Sequence, residues 1–532
     1  MNPVPPVRRP GKVWPYVLAC AVVAATAAAG LAYLSLSPPP FAPALPAATP
    51  VAVPNEDSPE RVHKFCSECH KYPDPESFPR HHWRAEVRQA YDFLRGSSLS
   101  VDFPPFESVV RYYEERAPEE LPLVRPPCAP AGTYPIRFER EVVPGLKLGQ
   151  EPTVSHVSLV HLFDAKRLDV LTCDMHTGWL AAYQPYTSPP AWRKIARLTN
   201  PAHAEVVDLD GDGNKDLIVA DLGNFTPTNA KCGSVVWLRG KADGTFTPIT
   251  LLEGVGRVAD VQAADFNGDG KIDLIVAVFG WRETGAIIYL ENQTTDWDHP
   301  KFVPHVVDDR HGAIHVPVTD LNGDGKPDFV ALISQEHETI VAFLNDGKGH
   351  FEKKTLYEGP HPAYGSSGIQ LVDLDGDGRL DILYTNGDVL DQPFLLKPYH
   401  GIQWLENVGD LRFVHHPITP LYGAMRAVAV DLRGDGKKDI LAVSWLPASR
   451  FPQRGPLDLD AVILLEQTER GKFVRHALAK KTCDSLACTA GDVFGDGHTH
   501  LVTASFGLGK GASTDALTIW KNLGPRKDPP GK

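Results

Sequence analysis

The sequence predicts an all-β fold, a β-propeller of repeated four-stranded blades, preceded by a transmembrane helix and a small α-helical domain. Two observations predict the propeller: a nonamer rich in Asp and Gly recurs along the chain, and short apolar strands flank each copy. The 45 Gly and 48 Pro residues among 532 are typical of a chain with many turns. An uncharged N-terminal run and a Cys-x-x-Cys-His motif predict the two preceding elements.

Four strong copies of the nonamer share one spacing. They read DLDGDGNKD, DFNGDGKID, DLNGDGKPD and DLDGDGRLD, and they begin at Asp208, Asp265, Asp320 and Asp373. Two weaker copies begin at Asp431 and Asp492, and a degenerate copy ends at Asp169. The closing Asp residues recur with a period in the mid-fifties. This period suits a four-stranded propeller blade with its loops.

Each repeat also has one order of strands. An apolar strand leads into the nonamer, and a strand such as DLIVAVF leaves it. A third strand ends in IIYLEN, IVAFLND or GIQWLEN, and a fourth begins near Phe, as in KFVPHVV. The last repeat lacks this fourth strand, whereas residues 136–143 (IRFEREVV) match it. We therefore predict that the N-terminal side of the propeller completes the last blade and closes the ring.

The nonamer carries the oxygen donors that a hard cation prefers. Asp or Asn occupies positions 1, 3 and 5, a backbone carbonyl lies near position 7, and Asp occupies position 9, which suits Ca²⁺. Gly at positions 4 and 6 permits a sharp turn. Position 12 lies within an apolar strand, whereas an EF-hand needs an acidic ligand there. The pattern therefore predicts a calcium loop between two strands, and the alternative is an Asp-Gly hairpin without metal.

The repeat resembles the FG-GAP or VCBS repeats of the integrin α-subunit head and of many exported bacterial proteins. The resemblance implies a seven-bladed propeller over residues 132–523 that binds about four Ca²⁺ ions. The implied ligands are Asp208, Asp210, Asp212 and Asp216; Asp265, Asn267, Asp269 and Asp273; Asp320, Asn322, Asp324 and Asp328; and Asp373, Asp375, Asp377 and Asp381. Arg433 stands at position 3 of the fifth copy, where its cation could replace the metal. Phe494 and His500 depart from the pattern in the last copy.

The N-terminal residues 1–36 predict a membrane anchor. An uncharged apolar run extends from 13 to 36 and follows Arg8, Arg9 and Lys12. Its length suits a membrane-spanning helix, and the basic residues predict that the bulk of the chain is exported. The alternative is a cleaved signal peptide. With a Pro- and Ala-rich linker at 37–55, we expect a membrane-anchored protein on the periplasmic side of the inner membrane.

Residues 56–127 predict a haem domain. Cys66, Cys69 and His70 form a C-x-x-C-H motif, in which two thiols bond the haem covalently and the imidazole binds iron. With the helical spacing around it, the segment resembles a single-haem cytochrome c domain, which implies one haem c. No Met lies in this segment, so the candidates for the sixth iron ligand are His81 or His82, and His63. The alternatives are a zinc knuckle and a plain disulfide.

The face opposite the nonamers predicts a ligand site. Because the nonamers join first and second strands, the loops after second and fourth strands lie on the other face. These loops carry the candidate ligand residues His311, His315, Glu336, His337, His361, Tyr364, His400 and Arg426. Convergent polar and aromatic loops are typical of a binding rim, and the alternative is a set of solvated loops. No hydrolase, phosphate-loop or zinc-protease motif accompanies them, so catalytic residues are unassigned.

Two functions follow from these features. In the first, the propeller binds a substrate or partner and the haem relays electrons, which would make the protein a haem-dependent oxidoreductase or an electron carrier. In the second, the protein is a non-enzymatic binding, scaffold or adhesion protein with an integrin-like propeller. The net charge of −13 and the absence of a long basic run argue against nucleic acid as a partner. The sequence assigns neither the substrate nor the redox partner.

Overall fold

The structure of the protein is a computed structural model that describes residues 58–68, 70–96, 103–146, 150–390, 394–509 and 513–526. The predicted transmembrane helix at 1–36, the linker at 37–55 and the haem-motif residue Cys69 lie outside these residues. Within the described part of the chain, no helix is long and apolar enough to cross a membrane.

Three helices form the N-terminal part of the described chain: α1 Pro59–Cys66, α2 Trp83–Gly96 and α3 Phe106–Arg116. Short 3₁₀ turns at Pro75–Ser77 and Arg80–His82 precede α2. The helices pack through aromatic side chains, with Trp83 stacked on Tyr113 at a ring-centroid distance of 3.9 Å. Ala363 of the propeller packs against the same core, so the helices and the propeller share one packed unit.

The rest of the described chain forms seven antiparallel sheets, which are the blades of a propeller. Blades one to three contain β2 Val154–Val160, β3 Asp169–Asp174, β4 Trp179–Gln184 and β5 Ala191–Arg197; β6 Pro201–Val207, β7 Asp216–Asp221, β8 Gly233–Gly240 and β9 Phe246–Val255; and β10 Val258–Ala264, β11 Asp273–Val278, β12 Ala286–Asn292 and β13 Phe302–Asp308. The predicted seven-bladed all-β propeller is therefore confirmed.

The remaining blades follow the same order. Blades four to six contain β14 Ala313–His315, β15 Val318–Thr319, β16 Asp328–Ile333, β17 Thr339–Asn345 and β18 Phe351–Glu358; β19 Ser366–Val372, β20 Asp381–Asn386, β21 Gly401–Asn407 and β22 Phe413–Pro420; and β23 Ala424–Val430, β24 Asp439–Ser444, β25 Asp460–Glu469 and β26 Lys472–Lys480. Blade seven contains β27 Ser485–Gly491, β28 His500–Ser505 and β29 Asp515–Pro525, together with β1 Ile136–Pro144. Pro317 lacks an amide hydrogen and divides the first strand of blade four into β14 and β15.

Strand β1 closes the ring, as the sequence predicts. It pairs antiparallel with β29, from Phe138 opposite Asn522 to Val143 opposite Leu517. The first strands of neighbouring blades contact each other all the way round, from β2 to β27 and back to β2. The two ends of the propeller thus share one sheet, and the ring cannot open unless that sheet separates.

Every first strand carries a β-bulge at the same place. Its register against the second strand shifts between its first and third residues in β2, β6, β10, β14, β19, β23 and β27. A bulge bends the strand and re-aims the side chain that follows it. The third residue of each first strand therefore holds an equivalent position in all seven blades.

A buried Asp at the end of the nonamer fastens the loop to the third strand. In blade five, Asp381 Oδ2 accepts the Leu374 amide at 3.1 Å and Oδ1 accepts the Asn407 amide at 2.8 Å. The same two contacts recur in three other blades, at Asp216, Asp273 and Asp328. A buried carboxylate is costly unless it is hydrogen-bonded, and these amides supply the bonds.

We expect Val143→Asp to destabilise the propeller strongly, because Val143 is 3% exposed in the core of the closing blade. An unpaired buried carboxylate should lower the free energy of unfolding by about 3 kcal/mol or more. The matched control is Val306→Asp on the outer strand β13, where Val306 is 64% exposed and the change should stay below about 0.5 kcal/mol. Chemical denaturation measures both, and equal losses would contradict the closing role of β1.

Candidate functional site

The predicted calcium loops form tight turns on one face of the propeller. In blade five, Asp373 accepts the amides of Gly376 and Gly378 at 2.8 and 3.0 Å. Both glycines have left-handed backbones, with φ of 80° and 87°, which the turn requires. Carboxylate oxygens of Asp373, Asp375 and Asp381 lie within 4.8 Å of one another. The turn thus gathers three acidic groups of the nonamer into one cluster.

The loop of blade two gathers Asp208, Asp210 and Asp216 equally closely. Asp208 Oδ1 is buried and has no hydrogen-bond partner in the described part of the chain. A buried carboxylate oxygen without a partner fits a bound cation, and oxygen donors at this spacing suit Ca²⁺. The loops that begin at Asp265 and Asp320 have the same turn. The residues present therefore fit a calcium ion.

The fifth and the last nonamer depart from the pattern in different ways. In the fifth, Arg433 lies 3.0 Å from Asp439 and 3.2 Å from Asp435, so a guanidinium pairs with carboxylates of its own loop. In the last, His500 stands in place of the closing Asp. Its Nδ1 accepts the Asn522 amide at 3.0 Å, so the contact with the third strand is kept without a carboxylate.

The eight residues predicted for the ligand rim fall into three groups. The groups are His311, Glu336 and His337; His361, Tyr364 and His400; and His315 and Arg426. Each group has its own environment, so the single rim expected from the sequence is divided.

The first group lies where the loop after β13 meets the loop between β16 and β17. His311 Nε2 and Glu336 Oε1 are 2.9 Å apart, and the rings of His311 and His337 have centroids 5.0 Å apart. Burial acts to raise the pKa of Glu336, but the hydrogen bond and charge of His311 outweigh it and lower the pKa to about 2. Glu336 is therefore ionised at neutral pH.

The second group lies beneath the helical segment. Tyr399 Oη donates to the Ser77 carbonyl at 3.3 Å, which joins the propeller to the helices. His361, Tyr364 and His400 are 6%, 5% and 1% exposed. Burial lowers the pKa of His361 to about 4 and also lowers the pKa of His400, so both imidazoles are neutral at pH 7. These side chains lie in a packed contact rather than on an open rim, because the helices cover this part of the face.

The third group belongs to a chain of polar residues across the propeller axis. Arg426 Nη1 lies 3.4 Å from His315 Nε2, and His315 Nδ1 lies 3.8 Å from Asp260 Oδ2. Asp260 Oδ1 lies 2.9 Å from His203 Nδ1, and His203 packs edge-on against His156 at a centroid distance of 4.3 Å. These residues come from blades six, four, three, two and one. Each directly follows the bulge of its first strand.

Sequence reasoning misses three residues of this polar chain: His156, His203 and Asp260. A signal for them exists, since each lies five residues before the first residue of its nonamer, as do His315 and Arg426. Aligning the repeats on the nonamer would therefore place all five in one column. In blade five this column holds Gly368, where a Cβ would lie 3.3 Å from Arg426 Cδ. Glycine thus leaves the room that Arg426 needs to reach His315 two blades away.

Helix α1 ends at Cys66, the first residue of the predicted haem motif. Cys66 is half-buried against the aromatic core, and burial raises the pKa of its thiol to about 11. His70 Nδ1 lies 2.8 Å from the Lys71 carbonyl oxygen. The other ring nitrogen, Nε2, takes no part in this contact. A metal-binding His typically donates its other ring N–H to a carbonyl in this way, so His70 fits an iron ligand.

The candidates for a sixth iron ligand have other contacts. His63 stacks on Tyr72 at a centroid distance of 4.0 Å. His81 and His82 lie side by side at 4.1 Å, and His81 Nδ1 is 3.9 Å from a carboxylate oxygen of Glu120. None of these contacts involves His70, so the sixth ligand stays a prediction.

Loops of five blades converge on an apolar cluster at the face opposite the nonamers, which we name the apolar loop cluster. Its half-buried members are Met175, Phe225, Phe394, Leu396, Met425, Leu457, Ala479, Leu486 and Leu508. Phe225 stacks on Phe506 at a centroid distance of 6.1 Å, and the Arg450 guanidinium lies 4.5 Å from the Phe394 ring centroid. Aromatic residues, Met and Arg are the types enriched in the cores of protein–protein interfaces.

Comparison with known proteins supports the repeat. Residues 208–276 and 320–384 match the FG-GAP-like repeat. Cartilage acidic protein 1 of Xenopus tropicalis is 24% identical over 237 residues, which cover 40% of this chain and 35% of that protein. The T-cell immunomodulatory protein homologs of Plasmodium yoelii yoelii and Plasmodium falciparum (isolate 3D7) are 22% and 24% identical over 46% and 47% of this chain. The matches cover 38% and 35% of those two proteins.

The chain thus spans little more than a third of the length of the curated relatives it matches. Among solved structures, BBS1N in complex with ARL6DN, soaked with lead, aligns with a TM-score of 0.45 and 12% identity, over 75% of this chain and 99% of that one. The chain contains FG-GAP-like repeats in a seven-bladed propeller, an architecture that fits a binding or scaffold protein.

We expect Asp212→Asn to reduce the stabilisation of the protein by Ca²⁺, because it removes a carboxylate at position 5 of an intact loop. Asp435→Asn changes the same position of the fifth nonamer, where Arg433 pairs with the acidic groups, and should leave the calcium response unchanged. A cation that binds only the folded state stabilises it by about 2.7 kcal/mol at a hundredfold excess over its Kd. Thermal melting with Ca²⁺ and with chelator measures the response. Identical melting of the unaltered protein in both conditions would refute calcium in these loops.

Proposed function

We propose that the protein is a binding or scaffold protein whose propeller presents the apolar loop cluster to a protein partner. The observation that carries the proposal is the convergence of loops from blades one, two, five, six and seven on this cluster. Half-buried apolar and aromatic side chains gain stability when a partner covers their exposed part. The FG-GAP-like repeat and the curated relatives support the same class of function.

The two faces of the propeller have different tasks in this proposal. The four intact nonamers hold about four Ca²⁺ ions and stiffen the turns between first and second strands. The opposite face carries long loops, such as residues 445–459 and the described residues 387–390 and 394–400, which differ from blade to blade. Binding residues commonly lie on variable loops that a rigid scaffold positions.

The proposal also places the propeller outside the cytoplasm. The uncharged run at 13–36 would anchor the chain in the inner membrane, with the propeller on the periplasmic side. The linker at 37–55 would hold it at a distance, since a Pro-rich segment extends by ~3.1 Å per residue. The partner is then a protein of the same compartment, and the net charge of −13 argues against nucleic acid.

Affinity capture from native cell envelopes tests the binding function. Phe225→Glu should abolish capture of the partner because it places a charge in the apolar loop cluster. Arg450→Glu, which changes a residue at the edge of the cluster, should weaken the capture. Val306→Glu on the outer strand is the matched control and should capture as well as the unaltered protein. Thermal melting of each variant separates lost binding from lost folding. Unchanged capture by both loop variants would contradict the proposal.

A second candidate function, electron transfer, is favoured by the contact of His70 with the Lys71 carbonyl. With Nδ1 held at 2.8 Å from that carbonyl, Nε2 is the nitrogen that would bind iron. Cys66 and Cys69 would hold one haem c covalently, and His81 or His82 would be the sixth ligand. The bound haem would supply one-electron chemistry. In this function the propeller would bind a substrate or redox partner, and the protein would be a haem-dependent oxidoreductase or an electron carrier.

Haem staining of a denaturing gel tests this second function. Protein matured with the c-type attachment machinery should give a stained band, and Cys69→Ala should abolish it because one thioether is lost. Cys128→Ala, which changes a cysteine outside the motif, should keep the stain. An unstained band from the unaltered protein would contradict the haem and leave the binding function standing.

A further inference from the structure

We propose that His311, Glu336 and His337 form a binding site for a divalent first-row transition metal ion of the Zn²⁺ or Fe²⁺ class. One ligand atom from each residue lies within 4.8 Å of the other two. Two imidazoles and one carboxylate suit such an ion and leave coordination positions open for water or another ligand. The site is independent of the calcium loops, of the haem motif and of the proposed protein partner.

The distance between the ligand atoms of His311 and Glu336 is close to that of an occupied site. Metal–ligand bonds of ~2.0–2.1 Å in tetrahedral geometry separate the ligand atoms by about 3.3 Å. His311 Nε2 and Glu336 Oε1 are 2.9 Å apart, so an ion would need to part them by only about 0.4 Å. A bound ion would replace the hydrogen bond between these two atoms.

His337 contributes a nitrogen that the protein leaves without a partner. Its Nε2 is buried and makes no hydrogen bond in the described part of the chain. A buried polar group without a hydrogen-bond partner destabilises the folded protein. A metal ion between His337 and the pair of His311 and Glu336 would remove this destabilisation.

The loop that carries Glu336 and His337, residues 334–338, is anchored at both ends. The amide and hydroxyl of Ser334 donate to the Gly312 carbonyl at 2.8 and 3.0 Å. Glu338 accepts the Ser366 amide at 2.7 Å. Anchored supports of this kind hold metal ligands in a fixed geometry before the ion arrives.

The backbone of this loop explains why two adjacent side chains meet one histidine. Gln335 and Glu338 have left-handed backbones, with φ of 57° and 46°, which are uncommon for residues other than Gly. Consecutive side chains of an extended strand point to opposite faces, whereas Glu336 and His337 both reach His311. Conformations that cost energy persist where the surroundings hold them, and they cluster at ligand sites.

The surroundings of His311 also support the site. A Cβ on Gly285 would lie 2.1 Å from His311 Cα, so only Gly lets the backbone of His311 approach this closely. The nearby cations Arg310 and Lys353 both pair with Asp308, at 2.9 and 3.1 Å. Their charge is thus offset by a carboxylate that is not part of the triad.

Metal titration of the full-length protein tests the site. The protein carries no polyhistidine tag, is stripped with chelator, and is returned to excess Ca²⁺ so that the aspartate loops are filled. Calorimetry should then detect the binding of one Zn²⁺ ion to the unaltered protein. Glu336→Gln and His337→Ala should each abolish this binding. Loss of an outer partner alone weakens metal binding by ~10–100-fold, so loss of a ligand should cost at least ~100-fold. Co²⁺ should give the visible absorption of a site with nitrogen ligands.

The matched control is His350→Ala. His350 lies in the same blade, is exposed and pairs with Asp346 at 3.1 Å, so its loss should leave Zn²⁺ binding unchanged. His337→Ala could lower the melting temperature of the metal-free protein. Glu336→Gln keeps the size of the side chain, so its loss of Zn²⁺ binding would then be the result that tests the site. Equal Zn²⁺ binding by the unaltered protein and both triad variants would overturn the proposal. Occupation of the site by Mg²⁺ in preference to Zn²⁺ would overturn it as well.

Discussion

The buried carboxylate that ends every nonamer except the last is the contact on which the propeller depends. Asp381 is an example: it begins the second strand, and its carboxylate accepts one amide from the turn of the nonamer and one from the end of the third strand. Burial raises the pKa of Asp273 and Asp381 to about 6, so ionised carboxylates are held inside the sheet at a cost. Backbone amides offset part of this cost, and a cation in the adjacent loop would offset more. His500 keeps the same contact in blade seven without a charge.

This constraint separates the two faces of the molecule. The turns between first and second strands depend on the buried carboxylate at the end of the nonamer and on the glycines at positions 4 and 6. These turns therefore repeat with little change from blade to blade. The described loops on the other face are held by contacts that change from blade to blade, such as Asp221 with the Asn200 amide and Glu338 with the Ser366 amide, so their sequences are free to differ. The differences produce three environments: a packed contact with the helices around His361, the half-buried apolar loop cluster around Phe225, and the His311 triad. In the function proposed above, binding belongs with the variable face and stability with the repeated one.

The repeated features could be predicted from the sequence, and the features that depend on packing between distant segments could not. The nonamer period and the stray fourth strand at 136–143 are local patterns, and they predicted the blades and the ring closure. Nothing local shows that helices cover His361 and His400, because that contact joins segments about 300 residues apart, such as Ser77 and Tyr399. The polar chain across the axis was missed for another reason. Its column holds His in blades one, two and four but Asp, Gly and Arg in blades three, five and six, so only alignment on the nonamers reveals it.

The central claim is that the nonamer face holds structural cations while the opposite face binds other ligands. Anomalous diffraction from crystals of the full-length protein grown with Ca²⁺ tests it most directly. The account predicts difference peaks in the loops that begin at Asp208, Asp265, Asp320 and Asp373, and none in the fifth loop, where Arg433 pairs with Asp439. A map without peaks in these four loops, or with calcium confined to the opposite face, would contradict it.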